Sequence, residues 1–205
     1  MVKNIVFDMG NVLIRFDREL FLDRLDLSPE DRALLTNEVF RSLEWARMDR
    51  GSLTEAQAVE SICQRLPRHL HSAAEQLVEN WDDPILPVEG MCELIEELKA
   101  AGYGIYLLSN ASVRQHEYWP RVPGSRLFDG TLISADEKLV KPQPEIYRLL
   151  LERFSLNAEE CFFIDDVAAN IEGAFYCGIP GAVFQGDMRK LREDLRAAGV
   201  RAGEA

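Results

Sequence analysis

Long apolar runs are absent from this chain of 205 residues. No segment approaches the roughly 20 consecutive apolar residues that span a bilayer, and the apolar run near the N-terminus stops at Asp8. That run is also too short for the apolar region of a secretory signal. The sequence therefore predicts a cytoplasmic protein that has no membrane partner.

Basic residues are few relative to acidic ones. The 23 lysines and arginines stand against 35 aspartates and glutamates, which gives a formal net charge of −12. Non-specific nucleic-acid binding needs a surface rich in Lys and Arg, so this balance predicts no nucleic-acid partner. An anionic substrate would need a local cation in its binding site to oppose the field of the whole protein.

Cysteine is scarce, and no two cysteines form a CxxC pair. Such spacing is typical of neither zinc sites nor small disulfide scaffolds. We therefore predict four buried free thiols, at Cys63, Cys92, Cys161 and Cys177. A chain of this length builds a hydrophobic core without such cross-links, and its content of 47% apolar and 28% charged residues is typical of globular proteins.

Five short, continuously apolar runs are typical of buried parallel strands. They cover residues 4–7, 104–108, 131–133, 161–164 and 182–184. Apolar residues spaced three and four apart predict helices within 87–102, 144–154 and 169–177. This alternation of strand and helix predicts an α/β fold with a doubly wound, mostly parallel sheet.

Residues 17–82 interrupt this alternation. The stretch has no strand pattern, and it predicts helices at 30–41, 54–66 and 72–81. It is too long for a single crossover between neighbouring strands. We therefore predict a core domain formed by residues 1–16 and 83–205, and a separate helical domain formed by residues 17–82, the helical insertion.

Polar side chains follow the predicted strands at the points where the strands end. These residues are Asp8 after the first strand, Ser109 and Asn110 after the second, Lys141 after the third and a short loop, and Asp165 and Asp166 after the fourth. Ligands of open α/β sheets bind at the carboxyl ends of the strands. We therefore expect these residues to converge on one crevice.

Phosphoryl transfer through an enzyme carboxylate would use such a set. A carboxylate that attacks phosphorus forms an aspartyl-phosphate and divides one difficult displacement into two easier ones. Magnesium prefers hard oxygen ligands and shares them with substrate phosphate, and Asp8, Asp165 and Asp166 offer such oxygens. Lys141 and the Ser109 hydroxyl would bind the phosphoryl oxygens.

Four motifs make the sequence resemble the haloacid dehalogenase superfamily, the aspartate-nucleophile phosphatases. The motifs are residues 8–13 (DMGNVL), 107–110 (LLSN), 141–142 (KP) and 163–166 (FIDD) with Asn170. The resemblance spans nearly the whole chain and implies that the helical insertion is the family's smaller α-helical cap. The sequence is most similar to the branch that contains sugar-phosphate phosphatases of the α-glucose-1-phosphate type. The amino-terminal phosphatase domain of soluble epoxide hydrolases is a related comparison.

The resemblance implies a role for each motif residue. Asp8 takes the nucleophile position, and Asn170 orients the acidic pair. The implied phosphate-binding residues are Ser109, Asn110 and Lys141. The implied ligands of a magnesium cofactor are Asp8, the backbone of Gly10, Asp165 and Asp166. The expected activity is hydrolysis of a small phosphomonoester, a sugar phosphate, by a monomer or homodimer whose partner is that small molecule.

Gly10 departs from the pattern of the family. Most phosphatases of the superfamily have an aspartate at this position, two residues after the nucleophile, as general acid and base. Glycine still offers its carbonyl to a metal, but it cannot protonate a leaving alkoxide, and such assistance is worth about 10²- to 10⁴-fold. Two alternatives therefore stay open. One is a hydrolase that attacks carbon without magnesium, as haloacid dehalogenases do, and the other is a phosphate-ligand binder with little or no turnover.

Several other conspicuous residues are interpreted as structural. The three tryptophans, Trp45, Trp81 and Trp119, are assigned to hydrophobic packing because large aromatic side chains contribute most to small cores. Arg47 and Arg50, within the helical insertion, are assigned to its solvated face.

Overall fold

The computed structural model describes residues 1–202. Its five strands are β1 (Asn4–Phe7), β2 (Gly104–Ser109), β3 (Gly130–Ile133), β4 (Cys161–Asp165) and β5 (Gly181–Val183). They form one parallel sheet in the order β3-β2-β1-β4-β5, so the first strand lies at the centre. Each observed strand lies within one residue of its predicted bounds, and the predicted parallel sheet is confirmed.

The described residues form eleven α-helices, of which the first five lie between β1 and β2. They are α1 (Arg18–Leu22), α2 (Pro29–Leu35), α3 (Leu43–Asp49), α4 (Glu55–Cys63), α5 (His71–Glu79), α6 (Met91–Ala100), α7 (Gln115–Tyr118), α8 (Ser134–Glu137), α9 (Pro144–Arg153), α10 (Ala168–Tyr176) and α11 (Met188–Ala197). Helix α6 begins after Gly90, whose φ of 79° is left-handed, so it starts later than the predicted segment.

Side chains of the central strand alternate between the two faces of the sheet. Ile5 and Phe7 pack in a cluster with α6 and α11, whereas Val6 packs on the opposite face with α9 and α10. Because helices cover both faces, the strands are buried on both sides and consist almost entirely of apolar residues. The fold is therefore the predicted doubly wound α/β sheet.

The helices between β1 and β2 have a hydrophobic cluster of their own. Its buried members all lie between Phe21 and Val78. The first turn of α4 is fixed by a capping box, in which the Thr54 and Gln57 side chains each accept from the other's backbone N–H. Trp81 packs against both this cluster and the cluster on the sheet, so it joins the helical insertion to the core.

The structure differs from the predicted helices of the insertion in two ways. The predicted helix at 30–41 is α-helical only over Pro29–Leu35 and continues as a π-helical turn, Thr36–Phe40. Helices α1 and α3 were not predicted, because each is short and has only two buried side chains among Phe, Leu, Glu and Met. Weak apolar periodicity of this kind leaves a short helix undetected.

Two further predictions concern the cysteines and the lack of long apolar segments. All four cysteines are free, but only Cys161 is buried, and the other three thiols are half-buried. The prediction of four buried thiols is therefore wrong for Cys63, Cys92 and Cys177. No helix within residues 1–202 combines the length and the apolar character needed to cross a bilayer.

Candidate active site

The register of the sheet brings the predicted site residues to one edge. Phe7, the last residue of β1, pairs with Leu107 on one side and Ile164 on the other. Asp8, the residue that follows β1, is therefore level with the ends of β2 and β4. Its N–H donates to the Ile164 carbonyl at 2.8 Å. Parallel strands thus place the nucleophile candidate between two other motif residues, Ser109 and Asp165.

Lys141 lies at the centre of this group. Its Nζ donates to an Asp8 carboxylate oxygen at 2.7 Å, to an Asp165 oxygen at 2.7 Å and to the Leu108 carbonyl at 2.9 Å. The residue is 4% exposed. Burial lowers the pKa of Lys141, but the two carboxylates outweigh burial and hold that pKa above its ordinary value. The side chain is therefore a fixed, desolvated cation.

Asp165 is surrounded by donors. Besides Lys141, it accepts from the Val167 N–H at 2.8 Å and from the Asn170 amide at 2.9 and 3.1 Å. The Asn170 carbonyl in turn accepts from the Tyr147 hydroxyl at 2.7 Å. Asp165 is fully buried, and these contacts occupy both of its oxygens. Asn170 lies where the sequence predicted it, in contact with the first member of the acidic pair.

Asp166 is more open than Asp165. It is half-buried and lines a cavity together with Asp8 and Gly10. One of its oxygens accepts from the Asn11 side-chain amide at 3.0 Å, and Asn11 Oδ1 accepts from the Phe16 N–H at 2.9 Å. Sequence reasoning missed this role of Asn11, because the contact spans 155 residues of chain.

The acidic residues are close enough to bind one metal ion. One carboxylate oxygen from each of Asp8, Asp165 and Asp166 lies within 4.8 Å of the others. Desolvation raises the pKa of Asp8 to about 7, a rise that Lys141 opposes, and desolvation also raises the pKa of Asp166. Three carboxylates and one ammonium leave an excess of two negative charges. The donor set therefore fits a hard divalent cation, which would favour the ionised carboxylates.

Ser109 and Asn110 differ in what they contact. Ser109 is 1% exposed, and within residues 1–202 its buried hydroxyl has no hydrogen-bond partner. A buried hydroxyl without a partner is costly and points to a missing ligand or water. The Asn110 side chain instead donates to the Lys141 carbonyl at 3.0 Å and accepts from the Lys141 N–H at 2.8 Å. Asn110 therefore holds the lysine loop through its side chain.

A cavity of about 250 Å³ separates the site from the helical insertion. Its floor includes Asp8, Gly10 and Asp166. The insertion and its neighbouring segments contribute apolar side chains and three charged ones; these are Phe16, Met48, Trp45, Val78, Trp81 and Tyr118, with Arg18, Asp49 and Glu55. Such a mixed lining is typical of small-molecule sites.

Two of the three tryptophans line this cavity, which corrects their assignment to packing alone. Trp45 and Trp81 both contact Phe16, with ring centroids 5.6 and 5.0 Å away. They also pack against the clusters, so packing describes only part of their role. Trp119 matches the packing interpretation, because its ring lies against Phe128 at 5.0 Å and does not line the cavity.

These features define a hydrolase site in which a carboxylate lies at the end of the central strand of a parallel sheet. The profile of the haloacid dehalogenase-like hydrolases matches residues 2–178. The chain therefore belongs to the haloacid dehalogenase-like hydrolase family, and the resemblance predicted from its four motifs is confirmed.

Two curated relatives match most of this chain. A sesquiterpene phosphatase from Aspergillus oryzae is 25% identical over 189 residues, which are 87% of this chain and 88% of that protein. A drimenol cyclase from Aspergillus calidoustus is 25% identical over 188 residues, which are 90% of this chain. The chain spans about a third, 34%, of the length of that cyclase.

Solved structures share the fold. A HAD family enzyme from Bacteroides thetaiotaomicron, crystallised with magnesium and inorganic phosphate, superposes with a TM-score of 0.69 at 23% identity, over 93% of this chain and 99% of that one. The L-2-haloacid dehalogenase from Xanthobacter autotrophicus superposes with a TM-score of 0.67 at 18% identity, over 99% and 85% of the two chains. At these identities the likeness establishes the architecture alone.

Proposed function

We propose that this protein is a magnesium-dependent phosphatase that hydrolyses a small phosphomonoester through an aspartyl-phosphate on Asp8. The observation that carries the proposal is the set of groups around Asp8. Three carboxylates lie within reach of one cation, two of them contact a buried lysine, and a buried serine hydroxyl without a partner among residues 1–202 lies at the end of the adjacent strand. A divalent cation and a phosphoryl group together would satisfy all of these groups.

Each residue has a definite part in this mechanism. An Asp8 oxygen attacks phosphorus, the bond to the leaving oxygen breaks, and water later hydrolyses the acyl phosphate. Lys141 and the Ser109 hydroxyl stabilise charge on the phosphoryl oxygens. Asp8, Asp166 and the Gly10 carbonyl would hold magnesium, which would supply positive charge to the phosphate. Asp165 is the remaining predicted metal ligand, but both of its oxygens already accept hydrogen bonds, so in this proposal it positions Lys141 instead of binding the metal.

Asn110 and Asn170 both position Lys141, the first directly and the second through Asp165. Asn110 fixes the backbone of Lys141 through two hydrogen bonds. Asn170 fixes Asp165, which in turn accepts from the Lys141 ammonium. Partners of this kind orient the groups that touch a ligand and commonly change affinity or activity by about 10- to 100-fold when removed.

The organic group of the substrate would lie in the cavity under the helical insertion. A sugar phosphate stays the prediction from the resemblance. The rings of Trp45 and Trp81 offer apolar faces to a sugar, and Arg18 and Glu55 offer polar contacts for its hydroxyls. The same lining favours a second candidate, the phosphate of an apolar alcohol, because six of the insertion-side residues are apolar or aromatic. The match to a sesquiterpene phosphatase supports this second candidate.

Phosphate release from a panel of monoesters tests the proposal. The panel contains anomeric and non-anomeric sugar phosphates and phosphates of apolar alcohols, each assayed with magnesium and then with EDTA. We expect release that requires magnesium. Hydrolysis of a 2-haloacid that survives EDTA would instead establish the carbon-directed alternative. A folded protein that is stabilised by magnesium and phosphate but releases none from any ester would be a binder.

A further inference from the structure

Position 10 leaves the proposed reaction without an obvious proton donor. The alcohol that departs from phosphorus needs a proton unless it is a very good leaving group, and glycine has none to give. A Cβ built at Gly10 would lie 4.0 Å from its nearest neighbour, the Phe16 Cβ. Since the backbone leaves room for a side chain there, packing does not explain the glycine. Another acid in the cavity would explain how it is tolerated.

Asp49 is such an acid, and the helical insertion contributes it to the cavity. It is the last residue of α3, and it lines the same cavity as Asp8. Its side chain is half-buried, and within residues 1–202 its carboxyl group forms no hydrogen bond or ion pair. Its surroundings therefore leave the carboxyl group free to contact a ligand that reaches across from Asp8.

The backbone around Asp49 is tied to the core at two points. The buried Ser134 hydroxyl donates to the Asp49 carbonyl and accepts from the Ala111 N–H at 2.9 Å. Lys138 Nζ donates to the Gly51 carbonyl. Through Ser134, the end of α3 is joined to Ala111, two residues after Ser109 at the end of β2. The backbone at Asp49 is therefore held against the core, although Asp49 belongs to the helical insertion.

The electrostatic setting favours a protonated Asp49 at neutral pH. Desolvation raises its pKa to about 8, the negative charge of Asp8 adds to the rise, and Lys141 opposes it. Arg18, Glu55 and Asp166 are the other charged groups that line the cavity. A carboxyl group that keeps its proton near pH 7 is suited to give that proton to a leaving oxygen.

We propose that Asp49 is the general acid and base of this enzyme, in place of the aspartate that the family has at position 10. In the first step Asp8 forms a bond to phosphorus, the bond between phosphorus and the ester oxygen breaks, and that oxygen takes the Asp49 proton and leaves as an alcohol. In the second step Asp49, now a carboxylate, takes a proton from water. The water oxygen bonds to phosphorus, the Asp8–phosphorus bond breaks, and phosphate departs.

This inference rests on the proposed phosphatase activity, so the test separates the two. The first-turnover rate of alcohol release is measured by rapid quench for an alkyl phosphate that the protein hydrolyses. It is also measured for p-nitrophenyl phosphate, whose leaving phenolate needs no proton. A wild-type protein that releases neither alcohol would refute the phosphatase proposal itself, before any variant is compared.

Asp49→Asn keeps the size of the side chain and removes its proton. We expect a loss of about 10²- to 10⁴-fold with the alkyl ester and less than about 10-fold with the nitrophenyl ester. Asp49→Glu, which restores a carboxyl group, should regain part of the alkyl rate. Glu60→Gln is the matched control, because Glu60 is an exposed acid of the helical insertion that does not line the cavity.

Three results would overturn the assignment. Equal losses with the two esters would show that Asp49 only positions or packs the insertion. An Asp49→Asn variant within about threefold of wild type on the alkyl ester would show that it has no part in the reaction. The same ester-dependent loss in Glu55→Gln, without one in Asp49→Asn, would transfer the role to the other acid in the cavity wall. Thermal unfolding of each variant confirms that the losses are measured on folded protein.

Discussion

Asn110 and Lys141 hold each other through two hydrogen bonds. The asparagine amide donates to the lysine carbonyl at 3.0 Å, and the lysine N–H donates to the amide oxygen at 2.8 Å. This reciprocal pair joins the end of β2 to the loop after α8, so the ammonium that contacts Asp8 and Asp165 depends on a side chain from another strand. The side chain of Asn110 therefore helps to position the Lys141 ammonium without contacting the substrate itself.

Replacing this asparagine should weaken catalysis without unfolding the protein. In Asn110→Ala both hydrogen bonds to Lys141 are lost, and we expect kcat/KM for phosphate release to fall by about 10- to 100-fold. Steady-state kinetics with magnesium measure the change. Asn157→Ala is the control, because the side chain of that asparagine donates to the nearby Glu160 and does not contact the site. Equal kinetics in Asn110→Ala and wild type would mean that the lysine loop holds its position by itself.

The nucleophile assignment has a direct test. Asp8→Asn should abolish turnover, with a loss of at least about 10⁴-fold, because an amide does not attack phosphorus. Its fold should persist, since Lys141 keeps its contact with Asp165 at 2.7 Å. Phosphate release and thermal unfolding are measured on the same sample. Activity within about 10-fold of wild type would rule out Asp8 as the nucleophile.

Space at position 10 permits a complementary experiment. In the Asp49→Asn background, Gly10→Asp places a carboxyl group where most phosphatases of the superfamily have one, and the nearest atom to its Cβ is 4.0 Å away. We expect the first-turnover rate with an alkyl phosphate to rise by at least about 10-fold, because the new acid replaces the lost one. Gly10→Asn in the same background is the control and should not raise the rate. No gain from the aspartate would mean that a side chain at position 10 does not reach the leaving oxygen.

Glu44 stabilises the helical insertion in a pH-dependent way. It accepts from Ser61 and from Arg65, and these hydrogen bonds lower its pKa from 4.5 to about 2, with Arg65 as the largest cause. The folded pKa lies below the unfolded one, so the stabilisation is complete above pH 4.5 and disappears as the pH falls towards 2. The free energy of unfolding of Glu44→Gln should therefore be about 1–3 kcal/mol lower than that of wild type at pH 7.

Chemical denaturation at a series of pH values measures this effect. The difference between wild type and Glu44→Gln should shrink steadily from pH 5 to pH 2.5, because Glu44 of the unfolded chain takes up a proton over this range while the folded carboxylate, whose pKa is about 2, stays ionised. Glu60→Gln is again the comparison, because Glu60 is an exposed acid of the helical insertion that is not paired with Arg65. A difference that does not depend on pH would show that packing, and not charge, accounts for the destabilisation.

Local patterns sufficed to predict the sheet and the residues at its edge. Buried parallel strands are continuously apolar, and the register of such strands brings their ends together, so Asp8, Lys141 and Asp165 were expected close to one another and lie within 2.7 Å contacts. The domain boundaries and the roles of these residues stay predictions. The geometry is consistent with them, and the experiments above address the roles.

Contacts made by the helical insertion were not predictable in the same way. Asn11 contacts Asp166 across 155 residues, and Asp49 reaches the cavity only because α3 docks against Ser134. Neither relationship has a period or a spacing in the sequence. An acid two residues before a glycine in a helical segment, as in Asp49-Arg50-Gly51, is a weak signal. It acquires meaning only when the docked structure places Asp49 in the same cavity as Asp8.

Gly51 sets the distance between the insertion and the core. Its φ is 68°, and a Cβ there would lie 2.1 Å from the Ala135 carbonyl oxygen, far inside van der Waals contact. Any larger residue would therefore clash with α8 and push the end of α3 away from it. Because Asp49 is only two residues away, such a substitution would move the Asp49 carboxyl group without replacing any residue that lines the cavity. The position of the proposed proton donor, Asp49, thus depends on the lack of a side chain at Gly51.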